Sequence, residues 1–431
     1  MYGTAERVAR RSYGKLVAFL AARTGDVAGA EDALSEAFTS ALADWPLNGT
    51  PLNPEAWLLT AARRKMIDQA RRQRFVRNPE DSDEHTRLIE GGTSATLSAV
   101  TDELATDIPD RRLALMFACA HPAIDTHIRA PLMLQTVLGL DAARIASAFL
   151  MSPAAMGQRL VRAKNKIRDA GIPFRVPERK ELGERLGTVL DAIYAAFAEG
   201  WIDAAGTDLS RRELAGEAIY LGRLVTDLLP HEPEALGLLA LMLHAEARRL
   251  ARRNNSGDFI PLAEQNTALW DAGMINQAEA LLSRASGLVL NVDQSAILRS
   301  IGRYQLEGAV QSAHVTRRRT GVDNWAAVVQ LYNALWQLLH SPVIAINRAL
   351  AIAEVEGAGA ALNVLDLIVD PRVAEYQPYW AARAELLART GSKKEARQAY
   401  DRAIGLEQDD SVRRFLQRRQ ADLGTDKLES V

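Results

Sequence analysis

"ARIASAFLMSPAAMGQRLVRAKNKIR", residues 143–168, decides how this chain is read. Its second half opens on Ser152, a natural N-cap, with Pro153 at the first helical position, so a helix is expected to start there. Met156, Leu160, Ala163 and Ile167 then recur at i, i+4, i+7 and i+11, the buried stripe of an amphipathic helix. Gln158, Arg159, Arg162, Asn165 and Lys166 are left facing outward, and no acidic residue falls between 152 and 168. A solvated basic face on an ordinary helix has the same pattern. The preceding residues argue for more. "DAARIASAFL" (141–150) is a second amphipathic stretch, packing through Ile145, Ala146 and Phe149, and "LMSP" joins the two tightly. Two short helices with that junction and a basic second member form a helix-turn-helix, whose second helix enters the DNA major groove. Ala154, Ala155, Gln158 and Arg159, near its start, would reach base edges, and Arg162, Lys164 and Lys166 would sit nearer the phosphates. Leu150 and Met151 stand in the turn where a glycine is usual, so the pattern alone leaves the plain basic helix open.

Working outward, the chain has 431 residues, 48% hydrophobic and 25% charged, which allows about two to four soluble globular domains. With a formal net charge of −2, any basic surface must be local and offset elsewhere. Cys119 is the single cysteine, which excludes an internal disulfide or a cysteine-based zinc finger and fits a reducing cytoplasm. "MYGTAERVARRSYGK" lacks the apolar core of a signal peptide, and no long uncharged apolar run suggests a membrane span, so a cytoplasmic protein is expected.

Nearly every patterned segment reads as helix. "AEDALSEAFTSALADW" (30–45) places Ala30, Ala33, Leu34, Ala37, Phe38, Ala41, Leu42 and Trp45 on one stripe. Glu31, Asp32, Ser35, Glu36, Thr39 and Asp44 form the opposite, acidic and polar face. The prolines and glycine of "PLNGTPLNP" (46–54) predict a loop. "EAWLLTAARRKMIDQARRQR" (55–74) predicts a second helix, buried through Leu58, Leu59, Ala62, Met66 and Ala70. Its exposed side gathers Arg63, Arg64, Arg71, Arg72 and Arg74, with Asp68 at pairing distance from Arg64 or Arg72. Trp57 beside this loop and these cations suits unstacked bases and phosphates of single-stranded DNA; packing in the core is the other reading of an indole at a first helical turn.

Residues 76–107 are polar, acidic and glycine-containing, a linker with a short helix at its end. "IPDRRLALMFACAHPAI" opens a second helical group, "GIPFRVPERK" (171–180) is a break, and helix resumes from about 181. Near the end, Trp380, Ala384, Ala396, Tyr400 and Ala403 fall at the offsets of a tetratricopeptide repeat, with Gly391 in the turn. Ala349 and Ala361 hold the matching small-residue positions one repeat earlier, whereas 185–340 shows no clean period and also reads as a generic helical domain.

Taken together, "GDVAGAEDALSEAFTSALADW", "NPEAWLLTAARRKMIDQARRQR" and "ARIASAFLMSPAAMGQRLVRAKNKIR" resemble the two conserved domains of extracytoplasmic-function sigma factors, within the bacterial sigma-70 family of RNA polymerase initiation subunits. "MFACAHPAI", "GIPFRVP" and the long helical tail look like the subgroup with a C-terminal tetratricopeptide-like extension. The resemblance implies an all-α chain. Residues 1–75 would be sigma region two, 76–107 a flexible acidic linker, 108–177 the region-four helix-turn-helix, and 181–431 a helical-hairpin regulatory extension. It further implies that core RNA polymerase and promoter DNA are the partners, with no cofactor. Asp32, Ser35, Glu36 and Thr39 match the segment that binds the β′ clamp helices, and region four is expected at the β flap. Loop 46–54, with Asn48 and Asn53, and then Trp57, Arg63, Arg64, Arg71 and Arg72 match the part that captures the −10 element. Ala154, Ala155, Gln158, Arg159, Arg162, Lys164 and Lys166 match the reader of the −35 element. Glu80, Asp81, Asp83 and Glu84 match the connector threaded towards the polymerase cleft. Arg64 and Arg144 depart from the family's usual asparagine and glutamate, and Gly157 should weaken its helix by up to about 1 kcal/mol relative to Ala.

No catalytic constellation competes. Cys119 and His121 in "CAHP" have no second pair nearby and read as structural, and the remaining histidines form no ligand-spaced pair. The chain itself is expected to catalyse nothing. Two other readings stay open: a helix-turn-helix regulator with a helical sensor domain, and an interaction scaffold with merely solvated basic faces. Affinity for core polymerase separates the first reading from both.

Overall fold

The computed structural model describes residues 2–76, 110–149, 151–201, 209–290 and 301–424. The acidic stretch expected as a linker, with Glu80, Asp81, Asp83 and Glu84, lies outside the described residues beyond Val76. Regular structure among the described residues is helical, apart from one isolated antiparallel bridge between Arg253 and Phe259. Packing divides the chain into two units, Met1–Gly200 with Glu213–Ala218, and Trp201–Arg212 with Ile219–Val431.

The first unit begins with three helices, α1 (Tyr2–Thr24), α2 (Val27–Asn48) and α3 (Pro54–Val76), in which α2 packs on both others. Asp26 caps α2 by accepting from the Gly29 amide at 3.1 Å. Ala30, Ala33, Leu34, Ala37, Ala41 and Trp45 are buried, so the predicted stripe forms the seam, with Phe38 half-buried. Leu42 does not belong to it. One residue past Ala41, it is turned roughly 100° around the helix and stands 44% exposed. The loop expected from residue 46 starts later, because α2 runs through Pro46 to Asn48. A proline in a last exposed turn removes one amide whose partner carbonyl, on Leu42, sits at an exposed position; the Gly49 amide then closes the helix on the Trp45 carbonyl at 3.0 Å. In α3, Leu58, Leu59 and Ala62 are fully buried and Met66 only half-buried.

Four further helices follow: α4 (Arg112–Cys119), α5 (Thr126–Leu138), α6 (Ala142–Ala148) and α7 (Pro153–Asp169). α6 and α7 form the expected helix-turn-helix, with the Met151 amide donating to the Ala146 carbonyl at 2.9 Å across the turn. α5 packs on α4 and α7. These helices are not a detached domain within the first unit, since α1 packs on α4 and α5, and α2 on α7. α8 (Arg179–Trp201), which the break at 171–180 assigned to the extension, belongs to the first unit in all but its last residue.

α9 (Leu209–Leu228) is divided between the units, with Glu213–Ala218 in the first. In the second unit, α10 (Pro233–Glu246) is buried from Ala235 through Ala245 because α11 (Ala272–Leu290) and α12 (Arg303–Thr320) cover it. The Glu234 carboxylate accepts from the Tyr304 and Gln305 amides at 3.0 Å each and so caps α12. From here each helix packs on its neighbour in sequence: α13 (Trp325–Leu339), α14 (Pro342–Val355), α15 (Ala358–Asp366), α16 (Gln377–Arg389), α17 (Lys393–Leu406) and α18 (Asp410–Asp422). Such serial packing is the hallmark of a helical array. Ala349, Ala361, Ala384, Ala396, Tyr400 and Ala403 are all buried, and Gly391 turns the chain between α16 and α17 with φ +80°.

Candidate functional site

Helix α7 follows its sequence closely at its start. The Ser152 hydroxyl accepts from the Ala155 amide at 3.3 Å, and Met156, Leu160, Ala163 and Ile167 are buried. Ala154, Gln158, Arg159, Arg162 and Lys166 are exposed, and Ala155 is half-buried. Arg159, Arg162 and Lys166 make no ion pair with a carboxylate among the described residues. This face presents positive charge without internal neutralisation.

Lys164 is the exception. Expected near phosphates, it is instead turned inward and 9% exposed, its Nζ donating to Glu31 Oε2 of α2 at 2.6 Å. Glu31, placed by its sequence on the outward polar face, is 8% exposed. Burial pushes its carboxyl up, with Lys164 pulling in the opposite direction. Single-residue periodicity could not supply this pairing, because the two partners are 133 positions apart. Next to it, a Cβ on Gly14 of α1 would lie 1.9 Å from the Val137 carbonyl oxygen of α5, so the helices touch backbone to side-chain-free backbone. Burial, followed by Glu31 and Asp32, raises the neighbouring Tyr13 phenol.

Around α2 the outward set is intact. Asp32, Ser35, Glu36 and Thr39 are all exposed; the Thr39 hydroxyl donates to the Ser35 carbonyl, and Glu36 meets Lys65 at 3.2 Å. An exposed pair of that kind contributes about 0–1 kcal/mol and leaves the carboxylate accessible. At the end of α2, Asn48 donates to Asp44 at 2.7 Å, while Asn53 caps α3 by accepting from the Ala56 amide at 3.0 Å. Trp57 is half-buried against buried Trp45, ring centroids 5.6 Å apart and planes at 68°, which favours the packing reading.

The basic side of α3 divides in the same way as that of α7. Arg64 is exposed, but Arg63, expected beside it on the DNA-facing side, lies half-buried with its guanidinium 5.3 Å from the Phe19 ring centre. Burial, then Arg23, lowers its pKa. Arg71 and Arg72 are on α3, but their side chains lie outside the described residues. Arg144, the departure from the usual glutamate, is paired with Glu213.

Cys119 is fully buried against the Thr136 hydroxyl at 3.4 Å, and burial pushes its thiol up to about 12, far from a nucleophilic thiolate. No helix among the described residues is long and apolar enough to cross a membrane.

Sigma-70 region 2 matches residues 8–76, the three-helix group α1–α3. The chain carries a sigma-70 region 2. A family of unknown function (DUF6596) matches residues 185–286. An uncharacterized protein of Rhizobium meliloti (strain 1021) is 37% identical over 382 residues, 88% of this chain and 86% of that protein. No solved structure matches. Within the sigma-70 region 2 group, the exposed Asp32–Thr39 face and the half-open Trp57 are the features that sequence reasoning reached, and Glu31, Tyr13 and Gly14 are those it missed. A glutamate directly after Ala30 of the buried stripe was the available signal.

Proposed function

We propose that the chain is an extracytoplasmic-function-type sigma factor that docks on core RNA polymerase and directs it to a small set of promoters. The observation that carries the reading is the sigma-70 region 2 match over α1–α3, on a group whose central helix leaves Asp32, Ser35, Glu36 and Thr39 exposed. In this reading these four residues dock on the β′ clamp helices and the α4–α7 group reaches the β flap. Asn48, Asn53, Trp57 and Arg64 attend the −10 element, with Arg71 and Arg72 further along α3. Ala154, Ala155, Gln158, Arg159, Arg162 and Lys166 of α7 read the −35 element, exposed cations on a capped helix being suited to a major groove.

Lys164 joins the phosphates only where α7 separates from Glu31. Arg63 holds α1 against α3 and supports the −10 surface from behind. The serial helices α13–α18, with small residues buried at repeat spacing, support a tetratricopeptide-like extension that regulates docking. The protein performs no chemistry of its own in this account; the polymerase does.

The test is transcription by purified core polymerase on fragmented genomic DNA, with and without the full chain, mapping 5′ ends. The expected result is a small set of chain-dependent start sites sharing two upstream elements. Start sites identical in both reactions would reject the reading.

A further inference from the structure

The second unit does not end as an open array does. In a solenoid each hairpin meets only its neighbours, so the first loop and the last helix stay apart. Here the loop that joins α10 to α11 lies on α18, 156 positions further along the chain. Arg253 donates to Asp409 at 2.8 Å and to the Ser411 hydroxyl at 2.6 Å, where α18 begins. Asp258 accepts from Arg414 at 3.1 Å and from Arg418, one turn on, at 3.2 Å. Glu264 pairs with Arg419 at 3.3 Å, and the Phe259 and Phe415 rings meet edge to face, centroids 5.5 Å apart. The other side of α18 holds it to the array, with Leu416 buried in a cluster with Ala384, Ala399, Tyr400 and Ala403. Contact with the loop can therefore be lost while the helix keeps its seat.

The two contacts of α18 differ in kind. Leu416 is 4% exposed, whereas the side chains of Arg414, Arg418, Arg419 and Glu264 are each at least 40% exposed. Ion pairs in water are individually weak and screened by salt, so together they close the contact without locking it. Arg414, then Arg418, holds the Asp258 carboxyl below its ordinary range, as befits an acid seated between two guanidiniums.

We propose that this loop is a releasable clasp: residues 254–264 sit on the arginine face of α18 as a tethered acidic ligand, and an acidic peptide segment of a partner protein displaces them. The face fits that class. Guanidiniums at 414, 418 and 419 flank Phe415, with that of Arg419 5.5 Å from the ring centre. They match carboxylates on either side of an aromatic ring, the chemistry that Asp258, Phe259 and Glu264 supply in cis. A tethered ligand acts at an effective concentration of order mM, so even a weak loop keeps the face covered until a tighter competitor arrives. The proposal concerns the second unit alone and stands whatever the first unit docks on.

The experiment uses the full chain, spin-labelled at Asn255→Cys on the loop and Gln417→Cys on α18, both exposed positions; Cys119 is fully buried and escapes labelling. Pulsed electron paramagnetic resonance measures the distance between the labels at about 0.1 M and about 1 M salt, over which the Debye length falls from about 10 to about 3 Å. One short distance is expected at low salt. A longer population should grow several-fold at high salt, and likewise in Arg414→Glu combined with Arg418→Glu. Adding Asp258→Lys to that pair should restore the short distance, which a misfolded variant would not do. A synthetic peptide of residues 254–266 is then titrated by calorimetry, up to about 1 mM, into the natural chain and into Asp258→Asn combined with Glu264→Gln. Saturable binding is expected in the double variant, about tenfold or more weaker in the natural chain, and lost when Arg414→Glu and Arg418→Glu are added. A short distance unmoved by salt and by charge reversal, or a long one in the natural chain at low salt, would overturn the clasp. A peptide that binds neither protein, or both alike, would overturn the acidic partner.

Discussion

The two basic helices α3 and α7 lie far apart in sequence, yet each sends one cation inward and others out. On α7, Lys164 is buried on Glu31 while Lys166, two positions on, is exposed. On α3, Arg63 lies against Phe19 while Arg64 faces water. The inward cations hold the three-helix group and the helix-turn-helix together or brace the former; the outward ones face water. Residue type is the same in both roles. What differs is angular position around the helix and, for Lys164, a carboxylate supplied by a distant segment.

The sharpest way to break this comparison is to remove the inward lysine. Lys164→Ala leaves Glu31 buried without its partner, and a loss of about 3–5 kcal/mol of stability is expected in denaturant titration. Glu31→Gln combined with Lys164→Met should recover much of that, because no charge is then buried. Lys166→Ala, by contrast, should change stability by less than about 0.5 kcal/mol. Equal losses for the two lysines would dissolve the distinction between the faces.

Gly14→Ala is expected to come next. The added methyl meets the Val137 carbonyl at 1.9 Å, against backbone that cannot swing aside, and about 1–3 kcal/mol or more should be lost. A neutral result in thermal melting would mean that α1 and α5 are not in this contact in solution.

Arg159→Ala probes the outer face instead. In the proposed reading, promoter-duplex affinity should fall by about 1–3 kcal/mol at the −35 element, with the melting temperature unchanged. Coupled loss of stability would place Arg159 among the inward cations. The smallest effect belongs to Gly157, whose added Cβ would meet nothing within 4 Å. Gly157→Ala should stabilise the chain by roughly 0.5–1 kcal/mol, and a destabilised melt would point to a partner on that side of α7.

Much of this was legible in the sequence because it is local. Ser152 and Pro153 announce the start of α7, and its stripe of Met156, Leu160, Ala163 and Ile167 is buried as its period requires. The small residues at repeat spacing around Gly391 are likewise buried. Pro46 misled because a proline in the final exposed turn costs far less than one in mid-helix. Glu31 and Lys164 misled for a different reason: each looks outward by composition, and only their pairing across the first unit makes burial affordable. The contact of Asp258 with α18 was invisible too, since its partners lie 156 positions apart.

The central claim is that the exposed face of α2 docks on polymerase while the outward cations of α7 serve DNA. It is tested most directly by size-exclusion chromatography of the full chain with bacterial core RNA polymerase, comparing the natural chain, Arg159→Ala, and Asp32→Ala combined with Glu36→Ala. The account predicts one-to-one co-elution for the first two and its loss for the third, all three melting alike. A natural chain that elutes apart from core polymerase, or a double variant that binds it as well as the natural chain does, would contradict it.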